Sequence, residues 1–398
     1  MKASPEELDT VAVANFRQYL RIPSVHPNID YEPCVVFLEK QAKDIGLEFS
    51  VFRDVPKNPM VVLTWSGKEK SLPSIMLNSH MDVVPVFEDK WTHKPFDADI
   101  DENGNIYARG SQDTKCTGIQ YLEAIRRLKL KGVEPRRTVH VTFLPDEELG
   151  GINGAKQYVE TENFKKLNIG FALDEGFGGR GDTLIVFNGE KRRWIFRIHC
   201  PGQSGHGSLL LENTAGEKVR HILDKVYDFR AEQKIKEDKD KKTDHVTTIN
   251  LTMIEGGLQN NVIPDKFTLV FDARVPIENF EKFEQTVNQW CKDTGEGIWT
   301  EDLQKDDDLP ITAADDSNIF WVAFKHAVQL MDFKVDPLIF PANTDGRYFR
   351  KALIPTFGFS PNQDTPTKLH DHDEFLNIDV FLKGIKLYTH IIPALSNA

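Results

Sequence analysis

Three carboxylates in a row close a run of apolar and β-branched residues. Residues 138–144 read as a buried strand, and Pro145 leads from it into Asp146, Glu147 and Glu148, followed by Leu149, Gly150 and Gly151. Ionised carboxylates crowded at a strand end repel one another and lose hydration unless a cation or a hydrogen-bond network compensates. Adjacent glutamates leave the backbone in different directions, so one could hold a metal while the other handles a proton. A solvated acidic turn is the plainer alternative for this stretch alone. The same kind of group recurs elsewhere, however. His80 and Asp82 follow the strand-like run 75–77, and Asp174 and Glu175 follow the run 169–173. Asp113 sits in a glycine-bounded loop, 110–118, that opens a helix, and His370 and His372 sit in the last loop before the final helix. Histidine and carboxylate donors without thiolates suit zinc or manganese, and carboxylate-rich sets can hold two ions. Each has an ordinary reading when taken singly, as with Asp113 capping its helix. Their joint placement at one edge of one sheet directs the reading to a metal site.

The elements that must position these groups alternate. Ser4, Pro5 and Glu7 form a helix start with a capping box, and Pro23 closes that helix. A second helix spans 31–45 with Gly46 as its stop. Strands at 49–52, 60–65, 75–77, 138–144 and 169–173 alternate with helices, one running to about residue 131 and another capped by Asn153. That alternation predicts a mostly parallel sheet, with ligands outside the carboxyl ends of its strands. The order then changes to strand 194–200, helix 217–233, strands 246–253 and 267–274, helix 280–290 and strand 297–300. This β-α-β-β-α-β order is that of a ferredoxin-like module and predicts a second domain inserted into the first. The expected boundaries are 1–188 and 307–398 for the two parts of the first domain and 189–306 for the insertion. Residues 234–244, dominated by mixed charge, read as a solvated helix end and loop, and 304–308 as the return linker. A helix at 318–331, strands at 338–340 and 355–359, a short helix near Arg347 and a helix from 378 to about 391 complete the chain.

With 398 residues, 40% hydrophobic and 28% charged, the chain can bury the cores of two domains. Its net charge of −12 argues against a nucleic-acid partner, which would require a basic face. No stretch approaches the roughly 20 apolar residues of a membrane span. The first residues carry no apolar signal core, and Cys34, Cys116, Cys200 and Cys291 are too scattered for a disulfide framework or a zinc finger. A cytoplasmic protein with free thiols is the expectation.

Taken together, H-x-D after a strand, G-x-x-D-x-K, D-E-E-x-G-G, a strand-end D-E and a late H-x-x-x-E resemble the di-zinc aminoacylase and carboxypeptidase family of metallopeptidases. The resemblance covers essentially the whole chain, including Gly205-His206-Gly207-Ser208 and Asn260-Asn261-Val262-Ile263-Pro264 of the insertion, and is nearest to the cytosolic aminoacylase branch. Cys116, where many members have glycine, agrees with that branch. The resemblance implies an α/β, zinc-peptidase-like catalytic domain plus an inserted ferredoxin-like lid or dimerisation domain. It implies two zinc ions per chain, one held by His80, Asp113 and Glu175 and the other by Asp113, Glu148 and His370, with Asp113 bridging. His370 is preferred to His372 because Glu374 lies four residues beyond it, and Glu175 is preferred to Asp174 by the same alignment. Asp82 would hydrogen-bond the other nitrogen of His80. Glu147 would be the general base for hydrolysis of an N-acyl-L-amino acid by zinc-activated water, with His206 of a partner subunit as oxyanion donor. Arg274, Asn261 and Arg347 would bind the substrate carboxylate. A homodimer with a shared active site is implied. A dipeptidase of the same family and a non-catalytic dimeric binding protein are the alternatives.

Overall fold

The computed structural model describes residues 4–240 and 244–398 and divides them into two compact units. One comprises the chain up to Gly189 together with Pro310–Leu338 and Asn343–Ala398; the other comprises Glu190–Leu309 and Ile339–Ala342.

The first unit opens with the helix Pro5–Leu20. Its first turn is closed by a capping box in which Ser4 Oγ accepts from the Glu7 amide and Glu7 Oε2 accepts from the Ser4 amide. The helix stops before Ile22 and Pro23. The second helix, Glu32–Ile45, ends at Gly46, whose φ of 75° completes a left-handed cap. An eight-stranded sheet runs in the order Glu48–Phe52, Met60–Trp65, Val139–Leu144, Ser74–His80, Ile169–Asp174, Thr356–Phe359, Thr183–Glu190, Lys334–Phe340. The four strands from Val139–Leu144 to Thr356–Phe359 are mutually parallel, and antiparallel pairings adjoin them on both sides. Ser74–His80 and Val139–Leu144 are buried throughout, as strands covered on both faces must be. Alternate side chains feed two cores. Ile75, Leu77, Val141 and Phe143 join the core that includes Phe16, Tyr121, Phe381 and Tyr388; Met60, Val62, Met76 and Ala172 join one with Tyr158, Phe164 and Phe349.

Because the central strands are parallel, His80, Leu144 and Asp174 all end at one edge of the sheet. The helix Lys115–Leu130 packs beside the closing helix Ile378–Asn397. A small sheet of Phe375–Asn377, Asn105–Tyr107 and Asp99–Ile100 ties the loop carrying Asp113 to the loop carrying His370. Its two- and three-residue strands leave no periodic signal in the sequence.

The second unit is a four-stranded antiparallel sheet in the order Thr248–Gly256, Lys266–Val275, Arg192–Pro201, Trp299–Lys305. With the helices Ala215–Asp240 and Phe280–Thr294 this is a ferredoxin-like arrangement around Trp194, Phe196, Phe271, Phe283 and Trp290. A two-residue pairing of Gly205–His206 with Val262–Ile263 lies outside that sheet.

Three local expectations change, and one strand goes unforeseen. Gly154, not Asn153, occupies the cap position of the short helix Ala155–Tyr158; the Asn153 side-chain oxygen accepts from Gln157 Nε2 at 3.3 Å instead of from a helix amide, and the Asn153 amide donates to Asp146 Oδ2 at 2.7 Å. Much of the charged run 234–244 is helix as far as Asp240, where alternating Lys and acidic side chains leave a solvated helix unstrained; residues 241–243 lie outside the described residues. Gln304 and Lys305 belong to a strand, paired with Ile195 and Trp194, so the return segment begins later than 304. The strand Thr183–Glu190 has no counterpart among the sequence expectations.

Candidate metal centre and catalytic site

At the carboxyl edge of the sheet, His80 Nε2 lies 3.0 Å from Asp113 Oδ1 and 3.8 Å from Glu175 Oε2. The other oxygen of Asp113 lies 3.2 Å from His370 Nε2, which is 3.0 Å from Glu148 Oε2. Two donor clusters therefore share one carboxylate: His80, Asp113 and Glu175, and Asp113, Glu148 and His370. Around a tetrahedral ion with bonds near 2.0–2.1 Å, donor atoms stand about 3.3 Å apart, which is the scale of these separations. The electrostatics point the same way. Burial pushes the carboxyl groups of Glu147, Glu148 and Glu175 upward, and neighbouring carboxylates add to it. Glu148 Oε1 is buried with no hydrogen-bond partner. Contacts with the Asp113 and Glu148 carboxylates raise His370 to about 10. Several buried carboxylates around two imidazoles form a donor set that a divalent cation would neutralise. The residues present thus fit a metal.

The rival groups separate. His372 is in neither cluster; its amide donates to Asp371 Oδ1 and its ring meets Phe87 edge-on. Asp174 is also outside them, accepting from Asn78 Nδ2 at 2.9 Å, Thr344 Oγ1 at 2.9 Å and the Gly346 amide at 2.7 Å. Strand alternation sends it away from its neighbour Glu175.

Asp82 behaves differently from expectation. His80 Nδ1 meets the main-chain carbonyl of Asp82 at 2.8 Å, while the carboxylate stands 3.7 Å away. The carboxylate instead accepts from the amides of Glu147 at 3.2 Å and Glu148 at 3.0 Å, and its Oδ2 is 2.9 Å from His26 Nε2. It holds the acidic turn in place. That turn needs unusual backbone: φ is 68° at Asp146, 88° at Gly150 and 62° at Gly151. A Cβ on Gly151 would lie 2.4 Å from Asp345 Oδ1, so glycine there also admits the next segment.

Sequence reasoning passed over three further residues. His26 enters from a distant loop whose sequence carries no signal. Asp345 is 1% exposed with neither carboxylate oxygen hydrogen-bonded, and burial raises its carboxyl well above the usual range. It lies in the same short run as Arg347, whose guanidinium donates to the Gly150 carbonyl and lies over the Tyr348 ring. Lys115, part of the G-x-x-D-x-K pattern, is buried and donates to the Ile22 carbonyl at 2.7 Å, closing the end of the first helix; burial lowers it to about 8. Cys116 is buried beside Asn362 and pushed up to about 12, which leaves it unreactive.

In the second unit, His206 is exposed and pairs with Val262, and the Gly207 amide donates to the Asn261 carbonyl at 2.7 Å. His206 and Asn261 thus share one turn pair. Arg274 is bound by Asp272 through Nε at 2.7 Å and Nη2 at 3.2 Å.

A parallel-centred sheet with two clusters of His and carboxylate donors at its carboxyl edge is the architecture of a metal-dependent hydrolase, and the chain belongs to the Peptidase family M20/M25/M40, which residues 76–394 match. The fold is shared by an M20 family metallo-carboxypeptidase from Sulfolobus solfataricus, with a TM-score of 0.69 at 18% identity over 97% of this chain and 99% of the other. Within the family the chain is similar to Aminoacylase-1 of Mus musculus, at 44% identity over 100% of this chain and 98% of the relative. Aminoacylase-1 of Homo sapiens is 45% identical over 99% of this chain and 97% of its own length.

Proposed function

We propose that the protein hydrolyses N-acyl-L-amino acids to a carboxylate and a free amino acid, using two zinc ions per chain. The observation that carries the reading is the sharing of Asp113 between two donor clusters with Glu147 beside them. Full-length similarity to Aminoacylase-1 supports the substrate class. His80, Asp113 and Glu175 would hold one ion and Asp113, Glu148 and His370 the other. Ions held there would supply Lewis acidity and would lower the pKa of an attacking water.

Glu147 does the proton work. It follows Asp146 in the acidic turn, belongs to neither cluster, and its amide is fixed by Asp82. A carboxylate whose affinity for protons is raised by burial takes one from the attacking water and returns it to the leaving amine. His206, exposed on its glycine turn, donates to the developing oxyanion from a second copy of the chain, which makes the working form a homodimer. Arg274, Asn261 and Arg347 receive the carboxylate of the amino-acid half. The second unit acts as lid and dimerisation domain. Among the described residues no helix is long and apolar enough to cross a membrane, and a cytosolic location is part of the reading.

A panel of N-acetylated amino acids and dipeptides, assayed with zinc, tests the reaction. Cleavage of the acylated amino acids is expected. Dipeptides alone being cleaved would assign a dipeptidase, and turnover of neither by zinc-loaded protein would leave a binding protein.

A further inference from the structure

The loop that carries Asp113 is held by a carboxylate from the far end of the chain. Glu374 is 0% exposed. Its Oε2 accepts from Arg109 Nη1 at 2.8 Å and the Gly110 amide at 3.1 Å. Its Oε1 accepts from the Gln112 amide at 2.6 Å, the Asp113 amide at 3.3 Å and Ser111 Oγ at 3.5 Å. Every residue from 109 to 113 therefore donates to one carboxylate. The flanking contacts join the same two segments: the Ala108 amide donates to the Glu374 carbonyl at 3.0 Å, Arg109 Nη1 to the Asp371 carbonyl at 3.1 Å, and Gln112 Nε2 to the Phe375 carbonyl at 2.7 Å. Arg109 is 2% exposed and stacks over Trp91, its guanidinium carbon 5.3 Å from the ring centre.

The two segments so joined supply Asp113, common to both donor clusters, and His370 of the second. We infer that Glu374, balanced by Arg109, is a positioning residue: it sets where the Asp113 carboxylate stands relative to His370, and so sets metal affinity. The inference rests on the reading that these clusters bind metal. Any buried carboxylate needs several donors to satisfy its two oxygens, so what distinguishes this one is where its donors come from. Here all five donors come from consecutive residues of one loop, which dictates the conformation of that loop.

Glu374→Gln tests this, because it keeps the shape but turns one acceptor oxygen into a donor. Donors face both oxygens, so either the Arg109–Gly110 pair or the Ser111–Asp113 set loses its acceptor. The metal-free variant, titrated with zinc by calorimetry, is expected to bind about 10–100-fold more weakly than wild type. Its cobalt-loaded form is expected to show a shifted visible spectrum. Glu123→Gln is the control: Glu123 is equally buried and bound by Asn15 and Arg126, but belongs to neither cluster. It is expected to lower Tm and leave zinc affinity unchanged. Arg109→Gln, which spares the main-chain donors, serves if Glu374→Gln does not fold and is expected to weaken zinc by about 10-fold, the low end of that range. Wild-type zinc affinity and an unshifted cobalt spectrum in a folded variant would overturn the inference. So would loss of folding in both variants while Glu123→Gln folds, since that assigns the pair to stability alone. A wild-type protein that binds no zinc would overturn the metal reading instead.

Discussion

At the scale of single residues the account depends on which of several neighbouring groups face the metals. Sequence spacing offered pairs: His370 or His372, Glu175 or Asp174, Glu147 or Glu148. The three-dimensional arrangement separates two of them by what each touches. His370 reaches Asp113 and Glu148 while His372 turns to Phe87, and Asp174 is consumed by Asn78, Thr344 and Gly346. His370→Ala is therefore expected to lose about one zinc per chain, measured by elemental analysis, whereas His372→Ala keeps both. Equal zinc loss in the two variants would contradict the placement. Glu148→Gln is expected to weaken binding of one ion in the same assay, because it replaces a carboxylate oxygen of the second proposed donor cluster, 3.0 Å from the His370 imidazole.

At the scale of elements, the strands that carry the site were legible because their apolar runs are long. Residues 138–144 and 169–173 were read nearly to their ends. The small sheet at 99–107 and 375–377 was not legible, because its pairing partner lies far along the chain. The role of Asp82 was misread for a related reason: its carboxylate binds amides of a turn 65 residues away in sequence, which no local spacing reveals. The positive φ of 62° at His370 is another tertiary product. Strand burial also has a consequence for pH. His140, in the fully buried strand Val139–Leu144, faces Thr64 Oγ1 at 2.9 Å, and burial lowers it from 6.5 to about 4. Between those values the unfolded chain binds this proton and the folded chain does not, so stability is full above pH 6.5 and falls on acidification towards pH 4. The difference amounts to about 3 kcal/mol. Urea unfolding of metal-free protein at pH 7 and pH 4.5 is expected to show a smaller pH effect in His140→Gln than in wild type. The same loss in both would contradict a neutral buried His140.

At the scale of the whole molecule, the chain joins a hydrolase unit to a ferredoxin-like unit that needs no metal ligand of its own to form a core. The shared-site reading makes the second unit of one copy serve the first unit of another. Mixed dimers test it. Chains carrying His206→Ala and chains carrying Glu147→Ala are each expected to be inactive alone. Refolded together, the site with an intact Glu147 borrows an intact His206, and activity is expected to return to about half of wild type per heterodimer if the sites are independent. Verified heterodimers without activity would place His206 within its own chain or outside the reaction.

The central claim is that Glu147 moves the proton while five other residues hold the ions. Its most direct test is the turnover of an N-acetyl-L-amino acid by wild type and Glu147→Gln, with zinc counted in the same samples. The account predicts about two zinc ions in both proteins and a rate at least about 10²–10⁴-fold lower in the variant. Wild-type turnover by Glu147→Gln at full zinc occupancy would contradict it.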